Sequence, residues 1–174
     1  MKYPIIWLTG LAGSGKSTIG KALYERLKQK HKNIIYLDGD ELRDLLGHYG
    51  YDKKSRIDMA LKRSQFAKFL NDQEMIVVVT TISMFNEIYE YNRKNFKNYF
   101  EIYVKCEMQE LIKRDQKGLY TKALNKEISD VVGVDIPFDE PRSDYVIDNS
   151  IQDNLNDKVK IIFEKISHEI FFIF

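Results

Sequence analysis

Cysteine is nearly absent from this 174-residue chain, and the lone Cys106 excludes an internal disulfide and any paired-thiol zinc or redox motif. Its place at the end of an apolar run marks it as a packed core thiol. The three histidines, His31, His48 and His168, lack metal-ligand spacing and read as surface or packing residues. Excess charge is missing as well. With 27 basic and 26 acidic residues the formal net charge is +1, which leaves no electrostatic footprint for nucleic acid or an anionic membrane. No apolar run approaches the roughly 20 residues needed to span a bilayer. Met1 to Pro4 lead straight into an apolar run with no room for a signal peptide, so a cytoplasmic location is expected. Internal repeats, low-complexity tracts and linkers are also lacking. At this length, with 44% apolar and 30% charged residues, the chain is expected to fold as one soluble domain, 1–174.

What is present is an alternation of apolar, β-branched runs with helical patterns. Strands are expected at 5–9, 33–37, 75–81, 100–105 and 145–147, and helices at 17–30, 41–46, 55–71, 86–98, 108–114 and 153–172. Strands separated by helices imply crossover connections and a central, mainly parallel β-sheet flanked by helices, an α/β fold. The segment 115–144 breaks the rhythm. It offers no convincing strand and holds two of the three prolines, Pro137 and Pro141, which reads as an irregular lid or substrate-binding segment. The apolar tail 170–174 either caps the core or packs in a homodimer interface.

The strongest motif is Gly10-Leu11-Ala12-Gly13-Ser14-Gly15-Lys16-Ser17-Thr18, a complete G-x-x-x-x-G-K-S phosphate loop. The buried strand at 5–9 precedes it and a helix follows, with Ile19, Ala22, Leu23 and Leu27 on one face. Its glycines let the backbone wrap a polyphosphate at a helix N-terminus. Lys16 can then reach the β- and γ-phosphates, and the Ser17 hydroxyl can ligate magnesium. Residues Gly13 to Thr18 therefore form the expected site for a nucleoside triphosphate.

A metal-bound triphosphate also calls for a carboxylate, commonly at the end of a buried strand. The strand at 33–37 alone supplies it, running into Asp38-Gly39-Asp40. Such a pair can orient metal-bound water and accept a proton from an attacking hydroxyl. Asp40 can also N-cap the helix beginning at Glu41. Which of the two carboxylates takes the proton is open at this stage.

Further motifs occur in order: Arg43 after Asp38-Gly39-Asp40, then Ile82-Ser83, then Arg114-Asp115-Gln116-Lys117-Gly118-Leu119-Tyr120 with Lys122, then Gly133-Val134-Asp135 and Pro137. Together with the phosphate loop they resemble the adenylylsulfate kinases, from the first strand to about Asn149. The resemblance implies a P-loop kinase with a mobile lid that passes the γ-phosphoryl group of ATP, with Mg²⁺, to the 3′-hydroxyl of a nucleotide. It places Ser17 and Asp38 at the metal, and Lys16, Asp38, Asp40 and Ser83 among the catalytic groups. Asp40, Arg43, Tyr51, Arg56, Ile82, Lys117 and Val131 fall at the acceptor. Arg114, at the lid's root, either stacks on the ATP adenine or pairs with Asp115. A guanidinium fork suits tetrahedral oxyanions, which fits the arginines to the acceptor's phosphate-like groups.

Departures from that pattern lie on the acceptor side. The family grips its acceptor adenine between two phenylalanines; here the first is Tyr51, and the second falls in Val131-Val132-Gly133-Val134. Glu41 and Met59 replace asparagines, Met84 a proline and Leu124 an arginine. Base–aromatic stacking contributes about 1–3 kcal/mol, so losing one ring weakens adenine binding by about tenfold or more. The resemblance therefore points to a branch that phosphorylates cytidine diphosphoramidate for capsule decoration. There a smaller pyrimidine stacks on Tyr51 alone, and Glu41 is a candidate partner for its exocyclic amine. The alternatives are an adenylylsulfate kinase that tolerates Val131, and a nucleotide-binding protein without transfer activity.

Overall fold

The computed structural model describes residues 3–47 and 50–168. His48, the last turns of the helix expected at 153–172 and the apolar tail 170–174 lie outside them. The elements run β1 (Ile5–Thr9), α1 (Lys16–Lys28), β2 (Ile34–Asp38), α2 (Gly39–Leu46), α3 (Lys53–Asp72), β3 (Ile76–Thr81) and α4 (Asn86–Asn95). They continue with β4 (Tyr99–Lys105), α5 (Met108–Arg114), a 3₁₀ turn (Gln116–Gly118), α6 (Leu119–Leu124), β5 (Tyr145–Asp148) and α7 (Leu155–Ile166).

The five strands form one sheet in the order β2-β3-β1-β4-β5, every neighbouring pair parallel. Parallel pairing carries a functional consequence, because all strands deliver their C-terminal residues to one edge. Thr9, Asp38, Thr81, Lys105 and Asp148 end there, Thr9 opposite Thr81 and Lys105 opposite Asp148.

Period-2 alternation splits the apolar residues between two faces. Ile5, Trp7, Val77, Val79 and Tyr103 face α3 and α4, packing with Ala60, Ala67, Ile88 and Tyr89. Ile6, Leu8, Val78, Ile102 and Val104 face α1 and α7, where Ile19, Leu23, Leu27, Val159, Ile162 and Ile166 recur at helical spacing. Cys106 is buried, as expected of a packing thiol.

Differences from the sequence reading have local causes. The α3 helix begins two residues early because Asp52 caps it, its carboxylate accepting from the Ser55 N–H at 3.1 Å and the Ser55 hydroxyl at 2.5 Å. The α4 helix stops at Asn95, where the extended Phe96 turns its ring into the core beside Trp7. The segment 115–144 is less irregular than expected. Asp115 takes a left-handed conformation, and its Oδ1 accepts from the N–H groups of Tyr120 and Thr121 at 2.9 and 3.0 Å. That bond organises α6, a helix too short to show a periodic signature.

The edge strand β5 is only four residues long and is fixed from before its start. Asp144 receives both Nη groups of Arg93 at 2.9 and 2.8 Å, and accepts from the Glu101 N–H at 2.7 Å. Arg93 also faces the buried Glu101 carboxylate at 3.4 Å, to which the Tyr99 hydroxyl donates at 2.9 Å. Burial raises the Glu101 pKa, with Tyr99 and Arg93 opposing the rise. Replacing Arg93 with methionine leaves that carboxylate without its cation. The expected loss is about 2 kcal/mol, read in calorimetry as a melting temperature lower by about 4–8 °C.

Candidate active site

The phosphate loop joins β1 to α1. Gly15 precedes the helix with φ at +93°, a conformation that strains any residue with a Cβ. No side chain caps α1, so its first N–H groups stay open to an anion. The loop's carbonyls are held from outside. The Tyr120 hydroxyl donates to Ala12 O at 2.7 Å, Arg114 Nη1 to Gly13 O at 3.2 Å, and Asn149 Nδ2 to Ser14 O at 2.7 Å. Three successive carbonyls are thus tied by residues from α6, α5 and the end of β5. Lys16 lies half-buried in this cradle, where desolvation lowers its pKa while Asp40 and Asp38 act to raise it.

Arg114 does not pair with Asp115. Besides Gly13 it reaches Asn149 O at 2.7 Å, Ser150 O at 2.9 Å and the Glu110 carboxylate at 3.3 Å. Its guanidinium belongs to the wall that shapes the loop.

Beside the cradle, Asp38 ends β2. It is Asp38, not Asp40, that caps α2, its Oδ1 accepting from the Asp40 N–H at 2.9 Å. Its Oδ2 accepts from Thr80 Oγ1 at 2.9 Å and from the Tyr36 hydroxyl at 3.2 Å. Burial pushes the Asp38 pKa up, but donation from the Asp40 N–H, Thr80, Ser17 and Tyr36 outweighs it and holds the carboxyl below its usual range. Burial and the Asp38 charge push the Tyr36 phenol up to about 12, against its hydrogen-bonding contacts with Thr80 and Ser17, keeping it protonated and a donor. Asp40 is exposed, which leaves its carboxylate open to solvent beside Lys16. Gly39 separates the two acids where space is tight, since a Cβ there would lie 2.9 Å from Thr80 O.

Among the described residues no group of three or more histidine, cysteine or acidic side chains could hold a metal alone. The Ser17 hydroxyl beside the Asp38 carboxylate supplies two hard oxygen donors next to a phosphate cradle. That set fits magnesium, which takes one or two protein oxygens and completes its shell with phosphate oxygens and water.

Of the residues expected at the acceptor, Arg43, Tyr51, Arg56 and the turn holding Val131 are brought together by direct contacts. Tyr51 is 56% exposed, yet its ring is flanked by two cations, with Arg43 Cζ at 4.6 Å and Arg56 Cζ at 5.3 Å from the centroid. Arg43 also donates to Gly50 O at 3.3 Å, while Arg56 bridges Tyr51 O and Asp130 O, each at 2.6 Å. The second contact brings Val131 to the same region; it is buried in a turn whose N–H groups at 130 and 131 the Asp135 carboxylate accepts. Ile82 is half-buried, and Ser83 is fully buried with an unpartnered hydroxyl. Lys117 projects from the left-handed 3₁₀ turn and is exposed.

Three residues of this region escape the sequence reading: Asn149, Tyr120 and Arg63. Arg63 lies within Lys62-Arg63-Ser64-Gln65, a string that resembles a solvated face. The signal that would have found it is helical spacing, because Met59, Ala60, Arg63, Ser64 and Ala67 form the buried side of α3.

Comparison with known proteins places this geometry among kinases. The chain matches the adenylylsulphate kinase family model over residues 2–148. It is 72% identical over 163 residues to a cytidine diphosphoramidate kinase of Campylobacter jejuni subsp. jejuni serotype O:2, covering 94% of this chain and 96% of that one. An adenylyl-sulfate kinase of Clostridium kluyveri is 36% identical over 165 residues, covering 94% and 83%. The solved Mycobacterium tuberculosis APS kinase CysC in complex with AMPPNP and APS superposes with a TM-score of 0.83 at 30% identity, covering 94% and 96%.

The clamps on the loop carbonyls are testable without knowing the acceptor. Tyr120→Phe and Asn149→Ala are each expected to weaken ATP binding by about 3- to 10-fold, measured as Kd by titration calorimetry. Unchanged affinity in both variants would remove the clamps from the account of the loop.

Proposed function

Because the chain belongs to the adenylylsulphate kinase family, we propose that it transfers the γ-phosphoryl group of ATP to the 3′-hydroxyl of cytidine diphosphoramidate, in the cytoplasm. The observation carrying this reading is the 72% identity to the Campylobacter cytidine diphosphoramidate kinase over nearly the whole of both chains. Adenylyl-sulfate kinases of comparable coverage are far less similar, at 36% for the Clostridium kluyveri enzyme and at 37% and 35% for two probable enzymes of Bacillus subtilis. Loss of the second aromatic ring at Val131 agrees with a change of acceptor base.

The residues divide the work as follows. The loop from Gly13 to Thr18 binds the triphosphate, and Lys16 lies against the β- and γ-oxygens. Magnesium, held by Ser17 and Asp38, supplies positive charge to those same oxygens when bound. The acceptor 3′-oxygen attacks the γ-phosphorus, the bond from that phosphorus to the β-bridging oxygen breaks, and ADP leaves. Asp38 or Asp40 orients the hydroxyl and receives its proton. The buried Ser83 hydroxyl has no protein partner and is a candidate donor to the reacting groups.

Binding of the acceptor exchanges partners around Tyr51. An arginine over an exposed ring contributes about 0.5–1 kcal/mol, less than the 1–3 kcal/mol of a stacked base. The cytosine takes one face of Tyr51, and the displaced guanidinium turns to the anionic tail, where charge-assisted bonds are stronger. Arg43 and Arg56 meet that tail with Lys117, which the segment 115–144 brings over the site as it closes and excludes water.

ADP release, measured in parallel with ATP·Mg²⁺ and each of cytidine diphosphoramidate and adenylylsulfate, tests the acceptor. A kcat/KM at least about tenfold higher for the cytidine compound is expected from the altered base contact; preference for adenylylsulfate would overturn the reading. Asp38→Asn is expected to lower kcat by about 10²–10⁴-fold with ATP affinity nearly intact. Unchanged turnover in that variant would take Asp38 out of the mechanism.

A further inference from the structure

Two charged side chains are buried among the described residues, Glu101 and Arg63. Their surroundings differ sharply. Glu101 has the cation Arg93 beside it, whereas no carboxylate of the described residues lies within 4 Å of the Arg63 guanidinium. Arg63 is 3% exposed and its Nε has no hydrogen-bond partner. Burial, then the charge of Arg43, presses its pKa down to about 10, while Asp40 and Asp38 act in the opposite direction. Such a group is costly, since burying an unpaired ion costs several kcal/mol and a well-packed apolar side chain is often as stable or more so. Packing alone does not account for an arginine at this place.

Its two bonds do. Nη1 donates to Thr81 Oγ1 at 2.5 Å, at the end of β3, and Nη2 donates to Gly39 O at 3.1 Å. The Gly39 carbonyl and the Asp40 N–H belong to one peptide unit, and that N–H donates to Asp38 Oδ1. The peptide joining the two acids is therefore held at both ends, by a guanidinium at its oxygen and by a carboxylate at its hydrogen. A cation at the carbonyl also polarises the unit, which strengthens donation to Asp38. Thr81 anchors the guanidinium to the sheet, so the position of Asp38 and Asp40 is referred to β3 and not only to their own loop.

We infer that Arg63 is a positioning residue for phosphoryl transfer, fixing the Gly39–Asp40 peptide and through it the two carboxylates that face the acceptor hydroxyl. This rests on the reading of the Asp38–Asp40 pair given above. A residue with this role acts on turnover and not on substrate affinity, and it contributes little to stability.

The experiment compares wild type with Arg63→Met, Arg63→Gln and Arg63→Lys as full chains, by steady-state kinetics and thermal melting. Wild type is assayed first with both cytidine diphosphoramidate and adenylylsulfate, and the variants with whichever it prefers. A failed acceptor assignment thus shows in the wild type alone. Arg63→Met is expected to lose roughly 10- to 100-fold in kcat, the scale of a small misplacement of reacting groups. Both KM values should stay within about threefold and the melting temperature should not fall. Arg63→Lys, which keeps the charge and a donor, should recover part of the rate. Should methionine prevent folding, Arg63→Gln is judged by the same split between kcat and KM. A kcat within about twofold of wild type overturns the inference. So does an acceptor KM raised at unchanged kcat, because Arg63 would then be a substrate contact.

Discussion

Three backbone carbonyls, those of Ala12, Gly13 and Ser14, accept from Tyr120, Arg114 and Asn149. A peptide chain can wrap an anion only if its oxygens are turned away from it, because a buried or partly buried carbonyl needs a donor of its own. Here the donors come from α5, α6 and the residue after β5, none of them near the loop in sequence. Everything on the donor side follows from this. The β5 strand must lie where Asn149 can reach, and the Arg93–Asp144 contact places its start. Asp115 must organise α6 so that Tyr120 faces Ala12. Distant packing is thereby converted into the shape of a nine-residue motif.

The two halves of the site are built on different physical terms. On the phosphate-loop side three loop carbonyls are satisfied within the protein and the open positions are backbone N–H groups at the start of α1. On the proposed acceptor side the cations rest against a ring and backbone oxygens. Arg43 and Arg56 flank the Tyr51 ring, and those ring contacts are weak enough to be exchanged for those of a charged ligand. Such an arrangement keeps the arginines ordered beside an exposed aromatic face. It also accommodates a change of acceptor more readily than a change of nucleotide donor, because the exposed aromatic face and the Val131 turn can vary without disturbing the clamps on the loop.

Most of the fold was legible because parallel α/β proteins write their plan in local periodicity. Alternating β-branched runs, the G-x-x-x-x-G-K-S loop and the Asp-Gly-Asp turn after a strand are all contiguous signals, and the sheet, the loop and Asp38 fall where they indicate. What escaped depends on residues far apart. Nothing local marks Asn149 as the partner of Ser14, or Tyr120 as the partner of Ala12. Arg63 was hidden by its polar neighbours in sequence, although its spacing from Met59 and Ala67 put it on the buried face. Helix α6 escaped because six residues carry too little pattern and its organising bond comes from Asp115, upstream of a left-handed turn. The cap on α2 was misplaced by two residues, since helix propensity does not reveal that Gly39 is already helical and that Asp38 stands outside it.

The position of Tyr120 has a thermodynamic side. Its hydroxyl holds the phosphate loop, while its own helix begins directly after Lys117 and Gly118, the turn proposed to meet the acceptor. On that proposal one short element belongs to both ligand sites. Any preference of the bound triphosphate for one placement of α6 is a preference that the acceptor feels too, and linkage requires the coupling to be equal in both directions. Synergy between the two substrates would then need no separate messenger between the sites. It is contained in a single phenol whose ring is packed in the core and whose oxygen grips the loop.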